Sequence, residues 1–285
     1  MKVVILAGGL GTRFIEETSV RPKPMVEIGG KPILWHIMQT YAAQGFNDFI
    51  VALGYKGDVV KDYFVNQHYY DNDLRVTMKR GRVEVLSKDA VDWRVQLVDT
   101  GDSTQTGGRL LRLAEHLGND ETFMLTYGDG LADVDVPALV DFHRAHGRVA
   151  TLTAVRSPLL QRPLALDNAA VRGFREQACG GPVNGGFFVF EPGVFDYLRG
   201  DEDSLESCAL TQLARDGQLM AYRHEGFWQC MDTAAERDLL EALWRSGAPP
   251  WMSLLPTASL AAMNRLYQRF DQRTQMVVAA APRGA

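Results

Sequence analysis

The sequence predicts an α/β fold in which helices cover both faces of a mixed, mostly parallel central sheet. Three observations carry this expectation. Strand-like and helix-like runs alternate from Val3 to Tyr127, the signature of strand–helix–strand units. The strand runs are continuously apolar at their centres, as in strands buried on both faces. The chain has 285 residues, 46% hydrophobic and 23% charged, which suits a soluble globular protein with a large core. Together they describe a three-layer, Rossmann-like sandwich.

The elements follow in order. Val3 to Leu6 is a short apolar strand stopped by glycines. In Pro32 to Ala43, the residues Ile33, His36, Ile37, Thr40 and Tyr41 recur at helical spacing. Asp48 to Leu53 is a strand ending at Gly54, and Gly57 to Phe64 a short helix. Val76 to Met78 and Val83 to Val85 form a hairpin around Arg80-Gly81-Arg82. Arg94 to Thr100 is a strand. Gly108 to Leu117 carries Leu110, Leu113, Ala114 and Leu117 on one helical face. Phe123 to Tyr127 is a strand running into Gly128-Asp129-Gly130. Further strands are expected at Ala150–Val155, Ala170–Phe174 and Gly186–Phe190, and helices at Ser204–Asp216 and Thr233–Ser246. Pro249-Pro250 marks a boundary. Residues 1–252 therefore read as the main domain and 253–285 as an extension: a helix from Leu260 to Arg273, then a disordered Ala/Pro/Gly tail, Ala279 to Ala285.

Composition narrows the function. A net charge of −5 offers no basic surplus for nucleic acid. Three cysteines, Cys179, Cys208 and Cys230, are scattered without a CxxC pair, which argues against disulfides or zinc and for reduced thiols. The N-terminal apolar run is too short for a signal sequence or membrane span. The expectation is a cytoplasmic chain with no membrane partner. His36 reads as a packed core histidine. His143 and His146, three apart, read as the end of a helix rather than a metal site.

The stretch LAGGLGTR, Leu6 to Arg13, is the most informative. A strand that stops at consecutive glycines can turn sharply and present bare backbone N–H groups to an anion. Arg13 and Lys23 stand ready to neutralise phosphates, and Pro22 and Pro24 stiffen the segment around Lys23. The glycine spacing is neither the dinucleotide-binding GxGxxG nor a Walker A loop, which disfavours an NAD(P)-linked oxidoreductase.

LAGGLGTR followed by RPKPMVEIGGKPILWHIM resembles the N-terminal signature of sugar-1-phosphate nucleotidylyltransferases, and within them the cytidylyltransferases. GYKGDVVKDYF, LVDTGDSTQTGGRL, TYGDGLADVD, DFHRAHG, NGGFFVF and GFWQCMDT extend the likeness from Met1 to Met252. The resemblance implies that a sugar 1-phosphate attacks the α-phosphorus of a nucleoside triphosphate, CTP preferred, and releases pyrophosphate, with Mg²⁺ as cofactor. It assigns catalytic roles to Arg13 and Lys23. It places Leu6, Ala7, Gly8, Gly9, Gly11, Thr12, Arg13, Lys23, Gly54, Tyr55, Asp102, Gly108, Arg109 and Asp129 around the nucleotide, with Arg109 at the pyrimidine. Tyr127, Glu176, Gln177, Asn184 and Gly185 fall to the sugar, in a portion spanning about 131–223, and Asp129 and Asp232 to the metal. Asp232 also stands where a helix N-cap would. A homo-oligomer joined by the C-terminal helices is expected.

The sugar side departs from the pattern. Leu164 stands where the family carries glycine, Gln177 where it carries lysine, and Cys208-Ala209 where it carries glutamate-proline. Losing the lysine's charge-assisted hydrogen bond alone costs roughly 10–100-fold in binding. A changed acceptor, a cyclitol phosphate among them, is one explanation, with Arg162, Arg172 or Arg175 compensating. A homologue that binds nucleotide but transfers poorly, with a regulatory or scaffold role, is another. An offset of a residue or two in the match is the third.

Overall fold

The computed structural model describes residues 1–70, 72–86, 91–118, 121–156, 163–174 and 181–254. Glu176, Gln177, Cys179, Arg162, Arg175 and the expected elements beyond Leu254 lie outside the described residues.

One nine-stranded sheet organises the chain. From edge to edge its strands are Leu164–Asp167, Ala170–Phe174, Leu219–Arg223, Ala150–Arg156, Pro182–Phe190, Phe123–Tyr127, Val3–Leu6, Asp48–Leu53 and Arg94–Asp99. Val3–Leu6 runs parallel to both neighbours, with Leu6 opposite Ala52 on one side and Tyr127 on the other. Pro182–Phe190 is antiparallel to both of its neighbours, which makes the sheet mixed. The 131–223 stretch thus contributes five strands to this same sheet.

The pleat sorts the apolar residues of Val3–Leu6 between two cores. Val3 and Ile5 join Val51, Met124 and the helix Ile33–Ala42 on one face, with Tyr41, Leu240 and Trp251. Val4 and Leu6 join Ile50, Leu125, Leu110, Leu113, Leu210 and Leu213 on the other. Both faces are covered, as the unbroken apolar runs require.

Several boundaries differ from expectation. The first long helix after Leu53 runs Gly57–Tyr70. Gly108 to Leu117 is two helices, Thr106–Arg112 and Ala114–Leu117, divided at Leu113. The expected helix from Ser204 begins as a π-helical turn, Leu205–Ala209, before the α-helix Leu210–Arg215. The hairpin forms as Leu74–Thr77 and Arg82–Val85, with Gly81 left-handed at φ 60° in its turn. His143 and His146 do end a helix, Val136–His146. Unanticipated were the strands Leu164–Asp167 and Leu219–Arg223 and the small pairing of Gly130–Ala132 with Trp228–Cys230. Among the described residues, no helix is long and apolar enough to cross a membrane.

Candidate active site

The parallel strands Val3–Leu6, Asp48–Leu53 and Phe123–Tyr127 end at one edge of the sheet, where ligands of open α/β sheets bind. Three loops gather there. The Gly8 carbonyl accepts the N–H of Tyr55 at 3.3 Å and Arg109 Nη2 at 2.9 Å. Arg109 is 4% exposed. Its Nη1 donates to the Leu53 carbonyl, the Thr100 hydroxyl and the Gly101 carbonyl at 3.0, 2.8 and 2.6 Å, and its Nη2 also to the Asp102 carbonyl at 3.2 Å. One buried guanidinium thus clamps three strand ends. Only glycine fits at position 8, because a Cβ there would lie 2.2 Å from Arg109 Nη1. Beyond the clamp, Gly9, Leu10, Thr12 and Arg13 are exposed, and Gly11 turns the chain at φ 61°. Among the described residues, the N–H groups of Gly9, Leu10 and Gly11 meet no backbone or side-chain acceptor. Only a 3₁₀ turn, Thr12–Phe14, and a four-residue helix follow, so a helix dipole adds little here.

Two acids meet beside this loop. Asp129 follows the strand Phe123–Tyr127; Gly128 leaves room for Pro24, which would stand 2.9 Å from a Cβ there. That contact seats the Lys23 segment against the strand end. The pairing of Trp228–Cys230 with Gly130–Ala132, and a hydrogen bond from Met231 N–H to the Asp129 carbonyl at 2.8 Å, bring Asp232 alongside. Lys23 Nζ donates to Asp129 Oδ2 at 2.7 Å and to Asp232 Oδ1, while Arg13 Nη1 donates to Asp232 Oδ2 at 2.8 Å. Burial lowers the affinity of Lys23 for its proton, but the two carboxylates outweigh it and hold the pKa above the usual lysine value. Asp232 is not the helix cap. Thr233 is, in a full capping box with Glu236, which leaves the Asp232 carboxylate to face Lys23 and Arg13.

Glu236 also accepts the Asp232 N–H at 2.6 Å. Burial and the neighbouring charges of Asp232, Glu236 and Asp129 push the Cys230 thiol up to about 12, so it is no nucleophile. His36 is buried and donates from Nε2 to the Ile28 carbonyl at 2.8 Å, while His143 and His146 meet the Thr151 hydroxyl, at 2.8 and 2.7 Å. All three are structural.

Among the residues expected at the sugar, Asn184 Nδ2 donates to the Tyr127 hydroxyl at 3.3 Å, and the Gly185 carbonyl accepts Trp228 Nε1 at 2.8 Å. The Tyr127 hydroxyl donates to Glu206. Glu206 was not anticipated. The signal for it was present, an acid two residues ahead of Cys208 where the pattern expects glutamate, but only the fold shows that its carboxylate turns inward. Leu164 is buried in the second apolar core, and Arg172 pairs with Asp167 at 2.8 Å. Gly108 is buried with its N–H donated to the Asp203 carbonyl at 3.1 Å, so close packing is what the fold asks of it. Leu6 and Ala7 are buried at the loop's root, Gly54 adjoins Arg109, and Asp102 and Thr12 are exposed at the rim.

A family model described as nucleotidyl transferase matches residues 2–244. The chain is 53% identical over 253 residues to glucose-1-phosphate cytidylyltransferase of Salmonella typhi, covering 88% of this chain and 98% of that protein. It is 43% identical over 255 residues to the probable glucose-1-phosphate cytidylyltransferase of Bacillus subtilis, covering 88% and 99%. Among solved structures, UDP-glucose pyrophosphorylase of Acinetobacter baumannii matches with a TM-score of 0.70 over 97% of this chain and 99% of that one, at 16% identity. The inositol-1-phosphate CTP transferase of T. maritima matches at 0.67 over 90% and 97%, at 13% identity. At such identities the structural likeness bears on the fold alone.

Proposed function

This chain belongs to the nucleotidyl transferase family, and from that premise we propose that it transfers the cytidylyl group of CTP to a sugar 1-phosphate. A phosphate oxygen of the sugar phosphate attacks the α-phosphorus in line. The new P–O bond forms as the α–β bridge breaks, and pyrophosphate leaves with that bond's electrons. The observation that carries this reading is the convergence of Asp129 and Asp232 on Lys23, beside an open glycine loop. The preference for CTP rests on the relatives' names.

The donor set suits a hard divalent cation. Asp129 and Asp232 both reach Lys23 Nζ with a carboxylate oxygen, and among the described residues no group of three or more His, Cys, Asp or Glu side chains is placed to hold a metal ion. Magnesium is commonly held by one or two carboxylates plus substrate phosphates. These two side chains would hold it, and bound there it supplies neutralisation of phosphate charge. The chain's own residues do the rest. The N–H groups of the Gly9–Gly11 loop receive phosphate oxygens. Lys23 and Arg13 screen the charge between acceptor and triphosphate, so that two anions approach within bonding distance. The Arg109 clamp keeps the loop in that shape before substrate arrives.

The same reading makes the protein a cytoplasmic homo-oligomer. Its described cysteines, Cys208 and Cys230, are free, which suits a reducing compartment. Subunit number is measurable by light scattering. The test of function is pyrophosphate release with CTP, UTP, GTP and dTTP against a panel of sugar and cyclitol 1-phosphates in magnesium. CTP should lead. Release with no triphosphate would overturn the proposal. Glucose 1-phosphate outperforming every other acceptor would end the changed-acceptor reading. Of the three departures, Leu164 fills the core, so Gln177→Lys is the variant expected to raise use of glucose 1-phosphate.

A further inference from the structure

We propose that Glu206 is a positioning residue for the acceptor half of the site, fixing Tyr127 and through it Asn184 against the helix Thr106–Arg112. The inference rests on the transfer reaction above.

Three hydroxyls donate to this one carboxylate. Tyr127 donates to Oε1 at 2.5 Å, and Thr106 and Ser204 to Oε2 at 2.8 and 2.7 Å. They come from three elements: the strand that leads to Asp129, the helix that carries Arg109, and the residue before the π-helical turn. Thr106 is itself committed, because its oxygen accepts the Leu205 N–H at 2.9 Å. Its proton therefore goes to Glu206.

The direction of every bond follows. The Tyr127 hydroxyl gives its proton to Glu206 and accepts from Asn184 Nδ2 at 3.3 Å. Asn184 Oδ1 accepts the Gly186 N–H at 2.9 Å, which fixes which end of the amide is nitrogen. Nδ2 carries two hydrogens. One goes to Tyr127, and among the described residues the other has no acceptor. That hydrogen is the group offered to an oxygen of the acceptor. Its orientation is set at the far end of the chain, by a carboxylate that only accepts.

An amide at position 206 breaks this order. It accepts at one oxygen and brings two hydrogens that need acceptors of their own, so at least one of the three hydroxyls must reverse. The experiment compares wild type, Glu206→Gln, Tyr127→Phe and the double variant by pyrophosphate release. KM and kcat are measured for the sugar 1-phosphate at saturating CTP, and for CTP at saturating sugar phosphate. Glu206→Gln should raise the acceptor KM about tenfold and leave the CTP KM within twofold. Tyr127→Phe should do the same, and the double variant should be no worse than either single one, because Glu206 acts through Tyr127. Multiplying effects, an unchanged acceptor KM, or equal rises in both KM values would overturn the assignment. If Glu206→Gln does not fold, Tyr127→Phe decides alone by the same split of KM values. A wild type without turnover would instead remove the transfer reading, and this inference with it.

Discussion

Lys23→Met keeps the length of the side chain and deletes its charge. In the wild type, Nζ contacts Asp129 at 2.7 Å and also Asp232, with its own side chain 10% exposed. At an effective dielectric of about 20, one such pair is worth about 6 kcal/mol before desolvation. Removing one partner of a buried pair costs about 3–5 kcal/mol net, because the other charge is left behind. Asp129 is 30% exposed, so solvent screening sets the loss near the lower value, about 3 kcal/mol. For a chain of this size that lowers Tm by about 6–12 °C. Magnesium should then act unequally. In the wild type a cation approaching the two carboxylates must displace the ammonium. In the variant, of the two basic side chains, only Arg13 still contacts Asp232, and a cation relieves the mutual repulsion of the two carboxylates. Thermal melts in EDTA and in magnesium should therefore show a larger metal-induced rise in Tm for Lys23→Met than for wild type. Turnover should move the other way, falling about 10²–10³-fold, as when one preorganised donor to the transition state is deleted. A variant that melts with the wild type in both buffers, or turns over within threefold of it, would refute the reasoning.

Asp129→Asn and Asp232→Asn should each lower pyrophosphate release at least 10²–10³-fold; either one retaining a tenth of wild-type turnover would exclude a role in holding the cation. Gly8→Ala and Gly9→Ala separate the clamp from the cradle. A Cβ at Gly8 meets Arg109 Nη1 at 2.2 Å, so that variant should lose about 1–3 kcal/mol in urea melts, whereas no heavy atom lies within 4 Å of a Cβ at Gly9. Gly9→Ala should melt like wild type yet need several-fold more CTP. Stability should also fall in acid through His36. Burial lowers its pKa to about 4, against about 6.5 unfolded, so its neutral folded form is fully favoured above pH 6.5, and that advantage drains as pH falls toward 4. The drop amounts to about 3 kcal/mol. Urea melts from pH 7.5 to 4.5 measure it, and an equally steep decline in His36→Gln would assign it elsewhere.

Period and punctuation made the sheet legible. Val3–Leu6, Asp48–Leu53 and Phe123–Tyr127 announce themselves because strands buried on both faces must be apolar throughout and must stop at residues that can turn. The strand Leu219–Arg223 was harder, since Arg223 and the mixed LMAYR pattern do not advertise burial, and its place depends on pairing with Ala150–Arg156. Leu205–Ala209 reads as helix because a π-turn has the same composition as an α-turn. At the site, Lys23, Asp129 and Asp232 were legible as residues, but not their contact, which takes the distant pairing of Gly130–Ala132 with Trp228–Cys230. That Asp232 is not the helix cap turned on Thr233 and Glu236, one and four residues further on. The resemblance reads Arg109 as a contact to the pyrimidine; that its guanidinium is engaged by carbonyls depends on where three strands end.

The two glycine pairs show how alike composition serves opposite ends. Gly8-Gly9 precede the 3₁₀ turn Thr12–Phe14 and Gly107-Gly108 lie in the first turn of Thr106–Arg112, and either pair could expose amides to an anion. At the second pair the amides are already spent. Gly107 and Gly108 donate to the Asp203 carbonyl at 2.9 and 3.1 Å, and Gln105 to the Asp201 carbonyl at 2.8 Å. The start of Thr106–Arg112 is therefore closed by the chain's own backbone, and no phosphate is needed to satisfy it. What that closure secures is a short helix held at both ends of the site: Thr106 reaches Glu206 on the proposed acceptor side, and Arg109 reaches the Gly8, Leu53 and Gly101 carbonyls on the proposed nucleotide side. Only then is the first pair free to stay open. Gly8 yields its carbonyl to the clamp, and Gly9 lies exposed beyond it, with no acceptor for its N–H among the described residues. Substitutions at Gly107 or Gly108 should consequently register on both substrates at once, in contrast to the one-sided effects expected at Gly9 and Glu206, and steady-state KM values for CTP and sugar phosphate measured side by side distinguish the two outcomes.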